Sequence, residues 1–372
     1  MCTPSPRFGP QGKRGPAGPR GPRGTFELQG TNASDTLRYD GEEWTVDSSV
    51  VRVGARAGTE TTTFGVAIGT EAGEFAQSEY AIAIGPFAAL SQQASYGVAV
   101  GFGAAGTSQG AGAVAVGNSS ATDTQGQRSV CLGAFTASQG SDCVSVGLNA
   151  GRESTGSSCV AIGVNSGAQQ AADNAVGVGS ECGLQQGDSA IAMGTGAGHG
   201  QRGDCVAFGY HAGRNVQQSS AIAMGYRAGF QQQGASAVAV GSQAGHFVQG
   251  AGAVAFGNGA GYFAQGVEAV AVGSPSTLGF DEIQGGYSVC IGRGAACGNL
   301  MGDPQFSLAL GAFAQVPVFS SVVINATGAP LVASASGCTF VKPLRRLATV
   351  EPGFVPVVYD ALTGELQYQA PP

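Results

Sequence analysis

Residues 237–257 read AVAVGSQAGHFVQGAGAVAFG, and residues 258–273 repeat the pattern as NGAGYFAQGVEAVAVG. Each copy carries a short apolar run closed by a glycine, and such glycines are mostly 16 residues apart, with spacings of 14, 15 or 19 at a few places. The 17 closing glycines are Gly54, Gly69, Gly85, Gly101, Gly117, Gly133, Gly147, Gly163, Gly179, Gly194, Gly209, Gly225, Gly241, Gly257, Gly273, Gly292 and Gly311. A three-sided hexapeptide helix would repeat near about 18 residues, so the spacing predicts a flattened, two-sided β-solenoid.

The residues before each closing glycine alternate in size with a period of two, which predicts a strand. Large apolar residues lie three and one positions before it, as at Val238 and Val240, and small residues lie four and two positions before it in every coil after the first. We expect the large face to fill the roll and the small face to pack closely on neighbouring chains. The small residues predicted to face those chains include Ala221, Ala223, Ala237, Ala239, Ala253 and Ala255.

A single coil cannot fold alone, because its few large side chains give about 1.5 to 3 kcal/mol each while ordering costs about 1 to 2 kcal/mol per residue. Stacking at about 4.8 Å per coil would produce a rod of about 80 Å. Glutamines recur eight residues past the closing glycine, and this predicts ladders of side-chain amides. They are Gln77, Gln93, Gln109, Gln125, Gln217, Gln233, Gln249 and Gln265.

A second repeat occupies residues 9–24, GPQGKRGPAGPRGPRG, in which every third residue is glycine. Only glycine fits the crowded axis of three wound chains, so the period predicts a collagen-like segment and a homotrimer. These glycines are Gly9, Gly12, Gly15, Gly18, Gly21 and Gly24. Residues 1–24 also carry five basic residues and no acid, which suits an acidic protein surface. A disordered basic linker is the alternative.

The segments GVAIG (65–69), AIAIG (81–85) and CVAIG (159–163) resemble the head repeats of trimeric autotransporter adhesins. The resemblance covers residues 50–311 and implies a left-handed parallel β-roll assembled as a homotrimer. No signal peptide, heptad stalk or membrane barrel of that family is readable, so we do not expect bacterial outer-membrane export.

The flanking segments resemble those of structural fibre proteins from large DNA viruses and phages. TLRYDGEEWTV (36–46) is similar to the small hairpin that precedes such repeats, and GCTFVKPLR (337–345) with VVYDALTGELQY (357–368) is similar to their C-terminal segments. The expected organisation is therefore a collagen-like segment over 1–24, a hairpin adapter over 25–49, the β-roll over 50–311 and a C-terminal β cap with a hairpin over 312–372.

The net charge, the apolar runs and the cysteines of the sequence argue against several classes of function. The net charge of −7 argues against nucleic-acid binding, and no apolar run is long enough to predict a membrane span. Nine cysteines are present; most sit in small-residue positions and predict buried thiols without a disulfide framework or a metal. The cysteines in those positions are Cys131, Cys143, Cys159, Cys182, Cys205 and Cys290. We expect no cofactor.

Three sets of residues could carry chemistry or binding. The histidines His199, His211 and His246 are scattered over different coils and fit turns better than a catalytic group. Asp173, Asp188 and Asp204 precede successive strands and predict an acidic row about 5 Å apart, either a solvated turn row or the carboxylate pair of a glycosidase. Arg202, Gly203 and Asp204 spell an RGD adhesion tripeptide in a turn.

Three function classes follow. The favoured one is a non-enzymatic fibre or spike on a virion surface, which contacts capsid or other virion proteins and mediates display or attachment to a host receptor or glycan. The second class is a polysaccharide depolymerase on a solenoid scaffold, and a cellular trimeric adhesin on the cell surface is a further alternative to the virion fibre. The third, an ice-binding solenoid, needs regular Thr-x-Thr columns, whereas TETTTF (59–64) occurs once.

Overall fold

The computed structural model describes part of the chain as strands and turns, with no helix among the described residues. The described residues are 36–39, 44–47, 49–60, 64–137, 140–153, 156–273, 283–298, 305–342, 357–359 and 366–368. The chain divides into two compact units, Met1–Ser49 and Val50–Pro372. The collagen-like glycines Gly9, Gly12, Gly15, Gly18, Gly21 and Gly24 lie outside the described residues.

One long parallel sheet, the main sheet, runs from Val51 to Lys342 in the second unit. Strand follows strand in chain order and in one register, so that Ala223 pairs with Ala239 and Ala239 pairs with Ala255. The strands are Val51–Val53, Val66–Ile68, Ile82–Ile84, Val98–Val100, Val114–Val116, Val130–Leu132, Val144–Val146, Val160–Ile162, Val176–Val178, Ile191–Met193, Val206–Phe208, Ile222–Met224, Val238–Val240, Val254–Phe256, Val270–Val272, Val289–Ile291, Leu308–Leu310, Val322–Asn325 and Thr339–Lys342. The predicted parallel β-solenoid of about 17 coils is confirmed.

The last two strands of the main sheet lie beyond Gly311, where the sequence predicts a separate C-terminal cap. Leu308 pairs in parallel with Val322, and Val322 pairs with Thr339. The parallel sheet therefore continues to Lys342. The sequence does not predict these two strands as coils, because large and small residues alternate less strictly in them.

A second wall faces the main sheet and consists of shorter strands. Its strands are Gln92–Gln93, Ser108–Gln109 and Thr124–Gln125 in one sheet, Asn215–Gln217, Gln231–Gln233, Val248–Gln249, Ala264–Gln265 and Ile283–Gln284 in another, and Ala314–Gln315 with Leu331–Val332 in a third. Two antiparallel pairs complete the strands, Thr36–Tyr39 with Trp44–Asp47 and Val357–Tyr359 with Leu366–Tyr368. Both pairs lie in segments where the sequence predicts a hairpin.

The corners of each coil use left-handed backbone conformations at several fixed positions, two of which mostly carry residues other than glycine. Positive φ angles recur five residues before the closing glycine, as at Tyr80 (60°), and two residues after it, as at Arg227 (51°). Valine, isoleucine and threonine are absent from both positions in the described coils, since a branched Cβ clashes with the backbone in this conformation.

The closing glycines are required for a second reason, which is close approach between coils. Gly225 has φ 130°, and a Cβ placed there would lie 2.5 Å from the carbonyl oxygen of Gly241 in the next coil. Gly209 stands in the same relation to Gly225, at 2.7 Å. The repeat is therefore fixed by backbone contact between coils as well as by side-chain packing.

The small residues, and not the large ones, fill the interior of the roll. Ala221, Ala223, Ala237, Ala239, Ala253 and Ala255 are fully buried within a single chain. The prediction that these alanines face neighbouring chains is therefore wrong. The two walls lie too close for larger groups, since a Cβ on Gly245 would already come within 3.2 Å of the Ala239 Cβ. The large apolar side chains consequently point outward.

Buried glutamines cross-link the coils through their side-chain amides, as predicted. The Nε2 atom of Gln93 donates to Oε1 of Gln109 at 3.0 Å and to the carbonyl of Ile82 at 2.9 Å. One run joins Gln77, Gln93, Gln109 and Gln125, and another joins Gln186, Gln201, Gln217, Gln233, Gln249 and Gln265. The amides also bond to backbone carbonyls of the sheet, such as that of Gly97, which accepts both the Gln93 amide at 3.1 Å and the Ile82 N–H at 2.8 Å.

Candidate interaction surfaces

The outward side chains of the main sheet form one continuous apolar surface, here called the outer stripe. It comprises the residues three and one positions before each closing glycine, such as Val238 and Val240. The most exposed members include Phe208 at 51% and Phe256 at 56%. Three residues of strand width and about 80 Å of length give about 800 Å². Monomeric proteins rarely expose apolar patches of this size, so the outer stripe marks an interaction surface.

A row of stacked aromatic rings lies along one corner of the first coils. Phe64 stacks on Tyr80, and Tyr80 stacks on Tyr96, each with ring centroids 5.2 Å apart and nearly parallel planes. All three rings are exposed. Stacking at successive coils hides most ring faces and leaves ring edges outward, so the row stabilises the corner without forming a broad flat platform.

A second aromatic row lies five residues past the closing glycines and encloses a histidine. The His246 ring is stacked between Phe230 (centroids 5.1 Å apart) and Tyr262 (4.9 Å). Both of its ring nitrogens are buried and lack a hydrogen-bond partner among the described residues. Burial, and secondly the charge of Arg227, lower the pKa of His246. The imidazole is therefore held neutral near pH 7.

A pocket of about 320 Å³ opens on the side of three consecutive coils, and we call it the side pocket. It lies beside the turn that follows the main-sheet strand, and the coils bring its residues into register through backbone hydrogen bonds such as Asn165 N to Leu148 O (2.9 Å). Its lining residues are Asn149, Arg152, Glu153, Asn165, Ala168, Gln169, Glu181 and Leu184.

Polar groups dominate the rim of the side pocket. The Asn149 Nδ2 donates to Asn165 Oδ1 at 3.1 Å, which fixes both amides side by side at left-handed corners. Asparagine tolerates that conformation better than most residues. The side chains of Arg152, Glu153 and Glu181 make no ion pair within the described part of the chain. The pocket thus presents both donors and acceptors to a ligand.

The RGD tripeptide lies in the turn that leads into the strand Val206–Phe208. The side chains of Arg202 and Asp204 are exposed, and Asp204 has φ 60°. The backbone N–H groups of both residues bond to other coils, Arg202 to Gln217 and Asp204 to Asp188. The tripeptide is therefore displayed on a backbone that the neighbouring coils hold in place.

The predicted acidic row is only partly aligned. Asp173 and Asp188 both lie six residues before their closing glycines, whereas Asp204 lies five residues before its own. A carboxylate oxygen of Asp173 accepts the backbone N–H of Ser157 at 2.7 Å. All three aspartates are exposed, so they lie at the solvated surface of the turns rather than in the side pocket.

The three histidines are not brought together. The Nε2 atom of His199 donates to the carbonyl of Glu181 at 2.6 Å, at the edge of the side pocket. His211 stacks on Tyr210 and contacts Arg214, and burial and the nearby arginines lower its pKa. His246 lies in the second aromatic row, between Phe230 and Tyr262. Each histidine has a different packing role.

Most of the described cysteines are buried thiols, as predicted. They are Cys131, Cys143, Cys159, Cys182 and Cys205, and burial raises the pKa of Cys131 to about 12. A disulfide joins Cys290 to Cys297, so the prediction that Cys290 is a simple substitute for alanine is wrong. The cause is Cys297, five residues after Gly292, whose sulfur reaches the same interior position.

Comparison with known proteins gives no family for this chain: no family model matches it, and no curated protein matches it. Among the described residues there is no helix able to span a membrane and no cluster of three or more metal-ligating side chains.

Sequence reasoning misses both surfaces that the structure brings out. The outer stripe is readable as a pattern, but size alternation alone assigns that pattern to the interior. The side pocket has a signal in the repeat, because Ala168 occupies the position at which other coils carry Phe230, His246 or Tyr262. A small residue whose two neighbours in the column, Arg152 and Leu184, are large predicts a hole.

Proposed function

We propose that the protein is a homotrimeric, non-enzymatic fibre on a virion surface, where it mediates display or attachment to a host. The observation that carries the proposal is the outer stripe, an apolar face that runs along every coil of the roll. A β-roll that exposes such a face continuously needs a partner of equal length and equal repeat, and a second copy of the same chain meets both requirements.

The outer stripe is large enough for a stable interface, and the sequence favours three copies over two. The outer stripe of about 800 Å² matches what one partner buries in an interface of standard size. A threefold axis beside the main sheet would bring the three stripes together along the rod. The collagen-like period of residues 9–24 requires three chains independently, so both repeats favour the same stoichiometry.

The virion location is supported by the ends of the chain. The hairpin segments resemble those of viral fibre proteins, and residues 1–24 carry five positive charges on each chain. Three such segments sum to about fifteen charges and would bind an acidic capsid or other virion protein. The roll then projects away from the particle and presents its turns and sides, including Arg202, Gly203 and Asp204.

The trimer is tested by the mass of the recombinant protein in light scattering or native mass spectrometry. A matched pair of variants tests the interface: Val240→Glu lies on the outer stripe, whereas Val248→Glu lies on the second wall, where Val248 is 45% exposed. We expect Val240→Glu to lose trimers and Val248→Glu to keep them. A well-folded wild-type monomer would overturn the proposal.

Anchoring is tested by deleting residues 1–24. We expect the deletion to lower incorporation into particles while the circular dichroism of the roll stays the same, because each coil contacts mainly its neighbours. Unchanged incorporation would contradict the proposed anchor. Cleavage of surface polysaccharide by the purified protein, abolished in Asp188→Ala, would instead establish the depolymerase alternative.

A further inference from the structure

We propose that the side pocket binds one neutral sugar unit of a surface glycan. The inference rests on the proposed attachment function and gives its partner a chemical class. It is carried by the shape of the pocket, by the pair of asparagines at its rim and by the charges around it.

The shape follows from one small side chain. In the coil that follows Gly225, Arg227 covers the ring of Phe230, with its guanidinium carbon 5.5 Å from the ring centroid. At the corresponding positions four coils earlier in the chain, Asn165 and Ala168 leave that space empty. The resulting volume of about 320 Å³ lies at the low end of small-ligand sites, which suits one ring rather than an extended chain.

The lining offers the two kinds of contact that a pyranose ring needs. Ala168 and Leu184 supply apolar surface for the C–H face of the ring. The asparagine pair, held together by the bond from Asn149 Nδ2 to Asn165 Oδ1, retains the Asn149 Oδ1 as acceptor and the Asn165 Nδ2 as donor. Adjacent hydroxyl groups, which both donate and accept, complement such a pair.

Charge selects among sugars. Glu153 and Glu181 contribute two carboxylates and Arg152 one guanidinium, so the formal net charge of the pocket lining is −1. An anionic sugar such as sialic acid would be repelled, whereas the hydroxyls of a neutral sugar accept charge-assisted hydrogen bonds from Arg152 and donate them to the carboxylates. Neutral hexoses and N-acetylhexosamines are therefore the expected ligands.

The test uses the purified full-length protein and saturation-transfer NMR titrations with galactose, N-acetylglucosamine and sialic acid as separate probes. We expect at least one neutral sugar to bind at millimolar concentration and sialic acid to bind at least tenfold more weakly. Ala168→Phe, which copies the natural Phe230, should fill the pocket and lower the affinity at least tenfold.

Two further variants keep the result interpretable. Asn165→Ala removes the rim donor, and Gln243→Ala makes the same change at the corresponding left-handed corner (φ 58°) of a coil whose neighbouring position is filled by His246. We expect Asn165→Ala to lose affinity and Gln243→Ala to keep it. Binding that none of the pocket variants weakens, or no binding of either neutral sugar at about 50 mM, overturns the inference. Oligomeric mass and particle incorporation are measured separately, so a failed trimer or anchor is distinguishable from a failed pocket.

Discussion

Ala239 and Val240 are neighbours in one strand, yet the first lies inside the roll and the second on the outer stripe. The methyl group of Ala239 is fully buried between walls that allow no larger group, whereas Val240 is half-buried at the surface. Folding of a coil and the proposed association of chains therefore depend on alternate residues of the same strand.

Replacing Ala239 with leucine should destabilise the fold itself. Overpacking a filled interior costs about 1 to 3 kcal/mol, and the walls on both sides belong to stacked coils that must all separate. Thermal unfolding followed by circular dichroism measures the effect. Val238→Leu, on the outer stripe of the same strand, is the control, and an equal loss of melting temperature in both variants would contradict the face assignment.

His246 should make the roll sensitive to acid. Its pKa is lowered in the folded state, so the unfolded chain takes up a proton more readily. The free energy of unfolding is then unaffected well above pH 6.5, the ordinary histidine value, and falls as the pH drops below it towards the folded-state pKa. Melting temperatures at pH 7.5 and 5.5 measure the loss.

The matched variant is His246→Phe, since Phe230 occupies the same position in the preceding coil. We expect this variant to keep more of its stability at pH 5.5 than the wild type does. An identical acid response in the two proteins would show that other groups, such as His211, account for it.

Each coil is an element with one fixed half and one variable half. Gln186 and Gln201 lie seven residues after their closing glycines instead of eight, but both lie eight residues before the next one, as Gln217 and Gln233 do. Gln284 keeps this distance even in a coil of 19 residues. In these coils the length changes therefore occur in the turn before the glutamine, and the amide column stays in line.

Removal of one whole coil should leave a shorter but intact roll. Deleting residues 226–241 joins Gly225 to Ser242. Residues at equivalent positions of the two flanking coils then come into contact, so the stacked glycines, glutamines and alanines stay aligned. We expect the circular dichroism spectrum per residue to stay that of a β protein and thermal unfolding to remain cooperative. Deleting only residues 226–233 shifts the amide column against the glycines and should prevent folding. Equal behaviour of the two deletions would contradict the coil as the unit of the fold.

The strands, the closing glycines and the amide column are predictable because each depends on local spacing within the repeat. Gln186 and Gln201 escape prediction when spacing is counted forward from the preceding glycine rather than back from the next one. The prediction of the inner face is wrong because size alternation gives the two faces but not the distance between the walls, which close contacts such as Gly245 with Ala239 determine. The side pocket depends on Ala168 lying beside two asparagines from neighbouring coils, a relation between columns that no single repeat contains.

At the scale of the whole molecule, the proposed trimer links many weak coils into one assembly. Contacts within the roll are between neighbouring coils, so stability adds up along the rod. The outer stripe adds a contribution between chains at every coil. The side pocket is lined by residues of the turns that follow the main-sheet strands, so its binding chemistry is separate from the surface proposed to hold the chains together.

This arrangement predicts that stability depends on protein concentration. Association shifts the folding equilibrium by mass action, so the melting temperature of the wild type should rise across a hundredfold increase in concentration. In Val240→Glu the rise should be smaller or absent, and in Val248→Glu it should persist. A wild-type melting temperature that is independent of concentration would contradict an interface formed by the outer stripe.

The hydrogen bonds between the side-chain amides of the glutamine column all run in one direction along the chain, and this bears on the order in which the coils can form. Gln77 donates to Gln93, Gln93 to Gln109 and Gln109 to Gln125, always towards the C terminus. The acceptor for each glutamine thus arrives with the coil that is synthesised next. A ribosome delivers the coils in this same order, so each coil presents an amide donor whose acceptor is supplied by the next coil to be synthesised.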